Sequence, residues 1–200
     1  MTTERDYLYL EDYENSLPYT LNRREFIKIT GGGIVIFFVL GDVTVLAQER
    51  RFGGQPAAPT DLNAFLKIGE DGRVTCFTGK VELGQGVVVS LAQMLAEELD
   101  VPFDSVDMVM GDTDLCPWDR GTHGSMSIRF FGPPLRAAGA EARGVMLELA
   151  SEFLEVPRER LVVKDGVVSD KNDPQKKVTY AQLAKGQKIT KKLKNEAPLK

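Results

Sequence analysis

The chain has 200 residues, a hydrophobic fraction of 42% and a formal net charge of −4 at pH 7. This length and apolar content suffice for one folded domain with an additional tail. The acidic balance argues against nucleic acid as a partner, because phosphate backbones are bound by basic surfaces.

Residues 1–48 are predicted to be a leader. An acidic, tyrosine-rich stretch precedes Arg23-Arg24, and a short apolar run follows from Ile34 to Leu40. Adjacent arginines before a modest apolar stretch are typical of a twin-arginine export signal, and Ala47 supplies the small residue of a cleavage site. The run is too short for a comfortable membrane span. The alternative is that this segment is buried in the folded domain.

Residues 49–60 contain two glycines and two prolines and are predicted to be a linker. The folded part is predicted to begin at Asp61. Strand-like runs at Ala64–Ile68 and Val74–Thr78 flank a Gly-Glu-Asp-Gly turn, which predicts a hairpin. Apolar residues at helical spacing then predict an amphipathic helix from Val87 to Leu99.

The second half continues the alternation of strands and helices. Val106–Met110 predicts a short strand, and Leu161–Val163 with Val167–Ser169 predicts a second hairpin. A long helix is predicted from Pro133 to Phe153. Its expected buried stripe consists of Leu135, Ala138, Ala142, Val145, Leu149 and Phe153.

Val178–Lys185 predicts a short helix with Thr179 as its cap. Residues 186–200 are rich in lysine and poor in apolar side chains, which predicts a solvated linker or a truncated end. The order of elements predicts an α+β fold in which helices pack on a small mixed sheet within residues 61–185.

A glycine-rich loop, Gly79–Gly86, stands before the first helix. Its glycines allow close backbone approach and positive φ. The helix start offers unpaired N–H groups and a positive dipole end, which suit a phosphate or pyrophosphate. Gln85 adds a neutral amide that donates and accepts hydrogen bonds. Alone, the loop is a weak signal, since many such turns only join a strand to a helix.

A second polar loop lies between the strand Val106–Met110 and the long helix. It begins with Gly111-Asp112-Thr113 and contains Gly121-Thr122-His123-Gly124-Ser125-Met126-Ser127, where glycines and hydroxyls are concentrated. The sequence thus places two polar, glycine-rich loops before two helices.

Together these segments resemble the molybdenum-binding large subunit of the xanthine dehydrogenase/aldehyde oxidase family, in the branch typified by the beta chain of isoquinoline 1-oxidoreductase. The resemblance covers residues 62–184, the N-terminal portion of such a subunit, and the two loops together are fairly specific for it. The matching segments are Gly79–Gly86, Ala96-Glu97-Glu98-Leu99, Gly111-Asp112-Thr113, Gly121–Ser125 and Arg136-Ala137-Ala138.

The resemblance implies a molybdenum hydroxylase that oxidises aldehydes or N-heterocycles with water as the oxygen source. Its cofactor would be molybdopterin cytosine dinucleotide. The implied cofactor-binding residues are Gly84, Gln85, Gly86, Thr122, Gly124, Ser125 and Ser127. Iron–sulfur clusters of the 2Fe-2S type are expected on a small partner subunit, and a cytochrome c subunit is an optional further partner. Twin-arginine export would place the protein in the periplasm, with membrane association left open.

The chain departs from the family in its length. Family large subunits are several times longer, and their catalytic glutamate lies in a Gly-x-Gly-Glu motif near the far C-terminus. That motif does not follow Gly86 here. No catalytic residue is therefore assigned, and the remainder of the large subunit is an expected partner. The resemblance therefore implies a fragment, a split subunit or a truncated gene product.

Three functions remain open at this point. The first is a portion of a molybdenum hydroxylase, inactive by itself. The second is a non-catalytic exported interaction module, or a truncated relic, on the same scaffold. The third is a phosphate-binding domain of another kind.

Several single residues have ordinary interpretations. His123 is the only histidine, which excludes a site of several histidines, and no metal ligand is assigned. Cys76 and Cys116 either form a disulfide or remain separate, with Cys76 in the core. Trp118 is a local hydrophobic anchor or a wall of the site.

The acidic residues of the two loops and the first helix are also given ordinary roles. Glu82, Glu97 and Glu98 are expected to belong to a solvated face rather than to a carboxylate pair. Asp112 and Asp114 are expected to serve turn geometry.

Overall fold

The computed structural model describes residues 33–39, 62–117, 119, 121–185, 188–192 and 198–200. In chain order its strands are β1 (Gly33–Val39), β2 (Leu62–Ile68), β3 (Val74–Thr78), β4 (Val106–Met110), β5 (Leu161–Lys164), β6 (Val167–Asp170), β7 (Lys177–Thr179) and β8 (Lys188–Lys192). Its helices are α1 (Val87–Leu99), α2 (Gly132–Leu154) and α3 (Tyr180–Ala184). The predicted α+β class is confirmed.

The larger sheet is mixed and has the strand order β4-β3-β2-β1-β8. The predicted hairpin is present, since β2 and β3 are antiparallel with Leu66 opposite Cys76. β1 is antiparallel to β2, whereas β4 runs parallel to β3 and β8 runs parallel to β1. One face of this sheet carries the main core, because alternate residues of a strand point to the same side.

Helices α1 and α2 pack against that core. The apolar face of α1 buries Leu91, Leu95 and Leu99 completely, as its helical spacing predicts. Burying one such side chain contributes about 1.5–3 kcal/mol to folding. Gly139 of α2 lies beside Glu98, and a Cβ atom at position 139 would be 2.9 Å from the Glu98 Cβ. The two helices therefore touch closely along their contact.

The smaller sheet is antiparallel, in the order β5-β6-β7, and contains the second predicted hairpin. Tyr180 connects this part of the chain to α1, since its buried hydroxyl donates to the Leu99 carbonyl at 3.0 Å. Thr179 caps α3 in a reciprocal arrangement with Gln182, as predicted. Val178 belongs to β7, however, so the helix starts two residues later than expected.

The apolar run near the N-terminus is part of the sheet. Residues 33–39 form β1 between β2 and β8, and Ile34 and Val35 are buried. This is the buried-segment alternative, so the predicted leader overlaps a strand of the domain. The twin-arginine pair, the cleavage site and the predicted linker lie outside the described residues, as does Trp118.

The prediction of a solvated linker is wrong for residues 188–192, which form β8. The polar composition of this segment does not predict a strand. The strand forms through main-chain pairing with β1, in which Ile189 lies opposite Ile34. Lysines are common on edge strands, where they discourage pairing with other chains.

The predicted stripe of α2 is confirmed for its first four members, which are buried, and Leu149 packs partly against the core. Phe153 is 65% exposed, contrary to prediction. It lies at the same helical spacing, but in the last turn of α2 it is Leu154 that packs against the core. Among the described residues, no helix has the length and apolar character needed to cross a bilayer.

Candidate functional site

The two glycine-rich loops meet through a buried ion pair. The Lys80 ammonium donates to Asp119 Oδ1 at 2.7 Å and to the Gly121 carbonyl at 2.9 Å. The Lys80 and Asp119 side chains are only 11% and 3% exposed. The ammonium also lies 5.7 Å from the centre of the Phe131 ring, which favours a cation there. Lys80 thus joins both loops to the start of α2.

The main chains of the loops are also close. The Val81 N–H donates to the Thr122 hydroxyl oxygen at 2.7 Å. A Cβ atom at Gly79 would lie 2.5 Å from the Asp119 Cβ and 2.7 Å from the Pro117 carbonyl oxygen. Only glycine fits at position 79. The sequence predicts that the glycines of the first loop allow its backbone to come close to another group, and at Gly79 that group is the second loop.

The start of α1 is occupied by the carboxylate of Glu82. One oxygen accepts from the N–H groups of Gly84 at 2.7 Å and Gly86 at 2.9 Å, and the other accepts from Val88 at 2.9 Å. Hydrogen bonds from Val88 and Gly86 lower the pKa of Glu82 below its ordinary value. Glu82 is half-buried and caps the helix, a role that its expected place on a solvated face does not include.

Gln85 is exposed, but its amide is engaged within the first loop. The Leu83 N–H donates to its carbonyl oxygen at 2.6 Å, and its NH2 group donates to the Val81 carbonyl at 2.9 Å. Gly84 and Gly86 have φ angles of 95° and 79°, and a Cβ atom at either position would meet nothing within 4 Å. Glycine is therefore needed at both positions for the backbone conformation, and the space beside them is open.

The predicted residues of the second loop line its turn and the start of α2. Thr122 accepts the bond from Val81, while Gly124 and Ser125 are exposed with φ angles of 60° and 57°. Positive φ is uncommon for serine, and such conformations cluster at functional sites. Ser127 is buried at the first position of a π-helical turn, Ser127–Phe131, and such turns also occur frequently at functional sites.

Sequence reasoning missed Lys80, Asp119 and the capping role of Glu82. The signal for Glu82 was available, since a carboxylate a few residues before a helix can accept from its first N–H groups. The contact between Lys80 and Asp119 had no local signal, because it joins residues 39 positions apart. The predicted Gly84–Gly86 segment takes no part in the described contacts between the loops.

The two loops and the turn that follows the second loop carry several exposed apolar side chains. Leu83 is 80% exposed, and Met126 and Phe130 are each 45% exposed. Val81 and Ile128 are also partly exposed nearby in the chain. Exposed apolar side chains that cluster rather than scatter mark binding surfaces.

The two cysteines do not pair. Both are free thiols. Cys76 faces the main core, whereas Cys116 packs with Phe77, Phe65 and Val35 on the opposite face of the sheet. Burial raises the pKa of both thiols, so neither is an activated nucleophile.

Among the remaining acidic residues, Asp112 serves turn geometry as predicted, since Oδ1 accepts from the N–H groups of Asp114 and Leu115 at 2.9 Å each. Glu97 is exposed, but Glu98 is fully buried against Arg136, so the solvated-face prediction is wrong for it. In the described part of the chain, no three histidine, cysteine or acidic side chains gather into a potential metal site.

The sequence model of the molybdopterin cofactor-binding domain family matches residues 20–199. The chain therefore belongs to this family, and the resemblance based on the two loops is confirmed.

Two curated relatives illustrate the relationship. A chain of nicotinate dehydrogenase from Pseudomonas putida is 39% identical over 140 residues, which cover 70% of this chain and 12% of that protein. The beta chain of isoquinoline 1-oxidoreductase from Brevundimonas diminuta is 31% identical over 183 residues, covering 84% of this chain and 22% of that protein. The chain thus spans 12% and 22% of the lengths of these relatives.

Solved structures show the same fold. CO dehydrogenase from Oligotropha carboxidovorans matches with a TM-score of 0.55 at 23% identity, covering 90% of this chain and 22% of that chain. Quinoline 2-oxidoreductase from Pseudomonas putida 86 matches with a TM-score of 0.55 at 24% identity, covering 88% and 22% of the two chains.

The described residues fit a molybdopterin cofactor in part. The space beside Gly84 and Gly86 is open, and Gln85 and Ser125 are exposed neutral polar residues, although the Gln85 amide is already bonded within its loop. The fit is limited at the α1 N-terminus, because Glu82 already accepts from the Val88 N–H in the first turn and from the N–H groups of Gly84 and Gly86 before it.

Proposed function

We propose that this chain forms one wall of the cofactor site in the large subunit of a molybdenum hydroxylase. The observation that carries the proposal is the buried Lys80–Asp119 pair, which holds the two glycine-rich loops side by side. When bound, the cofactor supplies hydroxylation of an aldehyde or N-heterocycle with oxygen from water.

In this proposal, the residues of the chain bind and orient the cofactor. Gln85 would exchange a hydrogen bond within its loop for one to the cofactor, while Gly84 and Gly86 keep the neighbouring space open. Thr122, Gly124, Ser125 and Ser127 would supply hydroxyls and main-chain groups from the second loop. Because Glu82 fills the α1 N-terminus, the pyrophosphate of a cytosine dinucleotide would lie against the second loop.

The remainder of the large subunit would complete the site. It would bring the general-base glutamate and cover the apolar side chains around the loops, of which Leu83 is the most exposed. This assignment is supported by the small fraction of the relatives' length that the chain spans. A small 2Fe-2S subunit and, in some complexes, a cytochrome c subunit would carry electrons away. Periplasmic export belongs to the same proposal.

One observation favours a second candidate, a non-catalytic interaction module. Glu82 and Gln85 satisfy the polar groups of the first loop without any ligand. The exposed apolar side chains of the loops would then bind another protein, and the chain would hold no cofactor.

The test is a Gln85→Ala substitution in the chain co-purified with the rest of its large subunit. Losing one neutral hydrogen bond costs roughly 0.5–1.5 kcal/mol, so cofactor affinity should fall by about tenfold at most. Turnover should fall further if the bond strengthens in the transition state. The measurements are molybdenum and nucleotide content, turnover and melting temperature.

Gln93→Ala is the matched control, because Gln93 is exposed on α1 in the segment that follows the first loop. It should leave loading and turnover unchanged. Full loading and full turnover of Gln85→Ala would show that the cofactor does not use this side chain. A wild-type complex without molybdenum or nucleotide would favour the interaction module.

A further inference from the structure

The segment Pro198–Lys200 lies across helices α1 and α2 and is bound there through its main chain. The Lys200 N–H donates to Glu98 Oε2 at 3.2 Å, and Arg136 Nη2 donates to the main-chain oxygen of Lys200 at 2.7 Å. Arg143 Nη2 donates to the Pro198 carbonyl at 3.0 Å. These three contacts involve only main-chain atoms of the segment and none of its side chains.

The charged groups that make these contacts also bind one another. Glu98 is fully buried, and Arg136 donates to its Oε1 through Nε at 2.7 Å, with Nη2 at 2.6 Å from the same oxygen. Oε2 is left facing the segment. A buried carboxylate oxygen requires a donor, and the Lys200 N–H supplies one. Gly139 keeps the helix contact close enough for this geometry.

One side chain of the segment is also recognised. The Lys200 ammonium pairs with Asp100, which lies 3.7 Å from Arg143 Nη1. Leu199, in contrast, is 51% exposed and its side chain is not enclosed. The arrangement therefore binds the main chain of the segment and the cationic side chain of Lys200.

We propose that Glu98, Asp100, Arg136 and Arg143 form a binding site for a peptide segment, whose occupant is the Pro198–Lys200 segment of this chain. The site latches the chain beyond β8 onto both long helices. Glu98 and Arg136 belong to two of the segments that carry the resemblance to the family, and they meet in this site. The inference does not depend on the cofactor proposal.

The test removes the occupant and returns it as a peptide. The chain is shortened after residue 197 and titrated with the peptide Asn-Glu-Ala-Pro-Leu-Lys, acetylated at its N-terminus and amidated at its C-terminus. Saturable binding of one peptide per chain is expected by calorimetry. A control peptide carries a methyl group on the main-chain nitrogen of the lysine, which removes the donor to Glu98.

The methylated peptide should bind about tenfold or more weakly, because a hydrogen bond to a charged group is lost. Asp100→Asn should weaken the parent peptide without abolishing its binding. The proposal is overturned if the parent peptide fails to bind the folded shortened chain, or if methylation has no effect.

Hydrogen exchange in the full chain provides an independent measurement should the shortened chain not fold. A Lys200 amide bonded to Glu98 should exchange more slowly than the same amide in the free peptide. Exchange at the free-peptide rate would overturn the proposal.

Discussion

At the residue scale, Glu82 controls what the start of α1 can bind. Its carboxylate accepts from the N–H groups of Gly84, Gly86 and Val88. Val88 lies in the first turn of α1, where free N–H groups hold phosphates in other proteins, and Gly84 and Gly86 belong to the loop that leads into it. The negative charge near the helix N-terminus is thus internal, and a bound anion would have to displace it.

Glu82→Gln should lower the melting temperature at pH 7, because a charge-assisted cap becomes neutral. The pKa of Glu82 is lowered in the folded protein from an ordinary value of 4.5. Its stabilising contribution is therefore fully present above that ordinary value and is lost as the pH falls through the lowered pKa. The difference between wild type and variant should shrink across this window in thermal unfolding from pH 7 to pH 3.

Glu97→Gln is the matched control for this experiment, since Glu97 is exposed on the same helix. It should change the melting temperature little at any pH. Equal melting temperatures of wild type and Glu82→Gln at pH 7 would show that the cap contributes nothing measurable.

The second prediction at this scale concerns Lys80. Lys80→Met should destabilise the protein by about 3–5 kcal/mol, because it leaves the buried Asp119 carboxylate without its partner. Lys164→Met, at an exposed lysine of β5, should stay within about 0.5 kcal/mol of wild type. Denaturant unfolding measures both variants.

Adding Asp119→Leu to Lys80→Met should cost less than the sum of the two single changes, since no unpaired charge remains. Strict additivity would mean that the two side chains do not interact in solution, which would remove the contact that holds the loops together.

At the element scale, the packing of α1 against α2 depends on small residues of α2. Gly139 faces the Glu98 Cβ, and Gly132 faces the Met94 sulfur. A side chain at position 139 would push the helices apart and disturb the ion pair between Glu98 and Arg136. Glycine lowers intrinsic helix stability, and at Gly139 the close helix contact compensates for this cost.

Gly139→Ala should therefore destabilise the fold by about 1–3 kcal/mol through overpacking. Gly144→Ala is the control within the same helix, because its added Cβ would meet only the tip of Arg158 at 3.4 Å. That variant should be neutral or more stable by up to about 1 kcal/mol. If both variants behave alike in denaturant unfolding, the close contact at Gly139 does not constrain the helices.

At the scale of the whole molecule, β1 links the N-terminal region to the domain. It pairs with β2 on one side and β8 on the other. Cleavage after Ala47 would remove β1, which would leave β8 without its partner strand and expose the edge of β2 that β1 covers. If the protein is exported, we therefore expect the exported form to retain residues 33–39.

The corresponding experiment changes Arg23 and Arg24 to lysine and compares periplasmic yields. The double variant should stay in the cytoplasm if the pair is a twin-arginine signal, while its circular dichroism matches that of wild type. Intact-mass analysis of exported wild-type protein should show a chain that includes β1. An unchanged periplasmic yield would refute the signal, and a mature N-terminus at residue 48 would show that β1 is dispensable.

The sequence by itself determined the elements with strong local signals. The β2–β3 hairpin follows from its turn, α1 follows from the spacing of its apolar residues, and α3 follows from its Thr179 cap. The two loops were sufficient to identify the family, because their glycines and polar residues occur together at short range.

Only the tertiary structure decided how distant segments meet. The pairing of β1 with β8 joins an apolar strand to a lysine-rich one, and no local pattern specifies that register. The burial of Glu98 and Lys80 likewise depends on partners far away in the chain, Arg136 and Asp119. Judged only by its neighbours in sequence, a charged residue is predicted to face solvent. Burial becomes tolerable only when the folded chain places an opposite charge beside it.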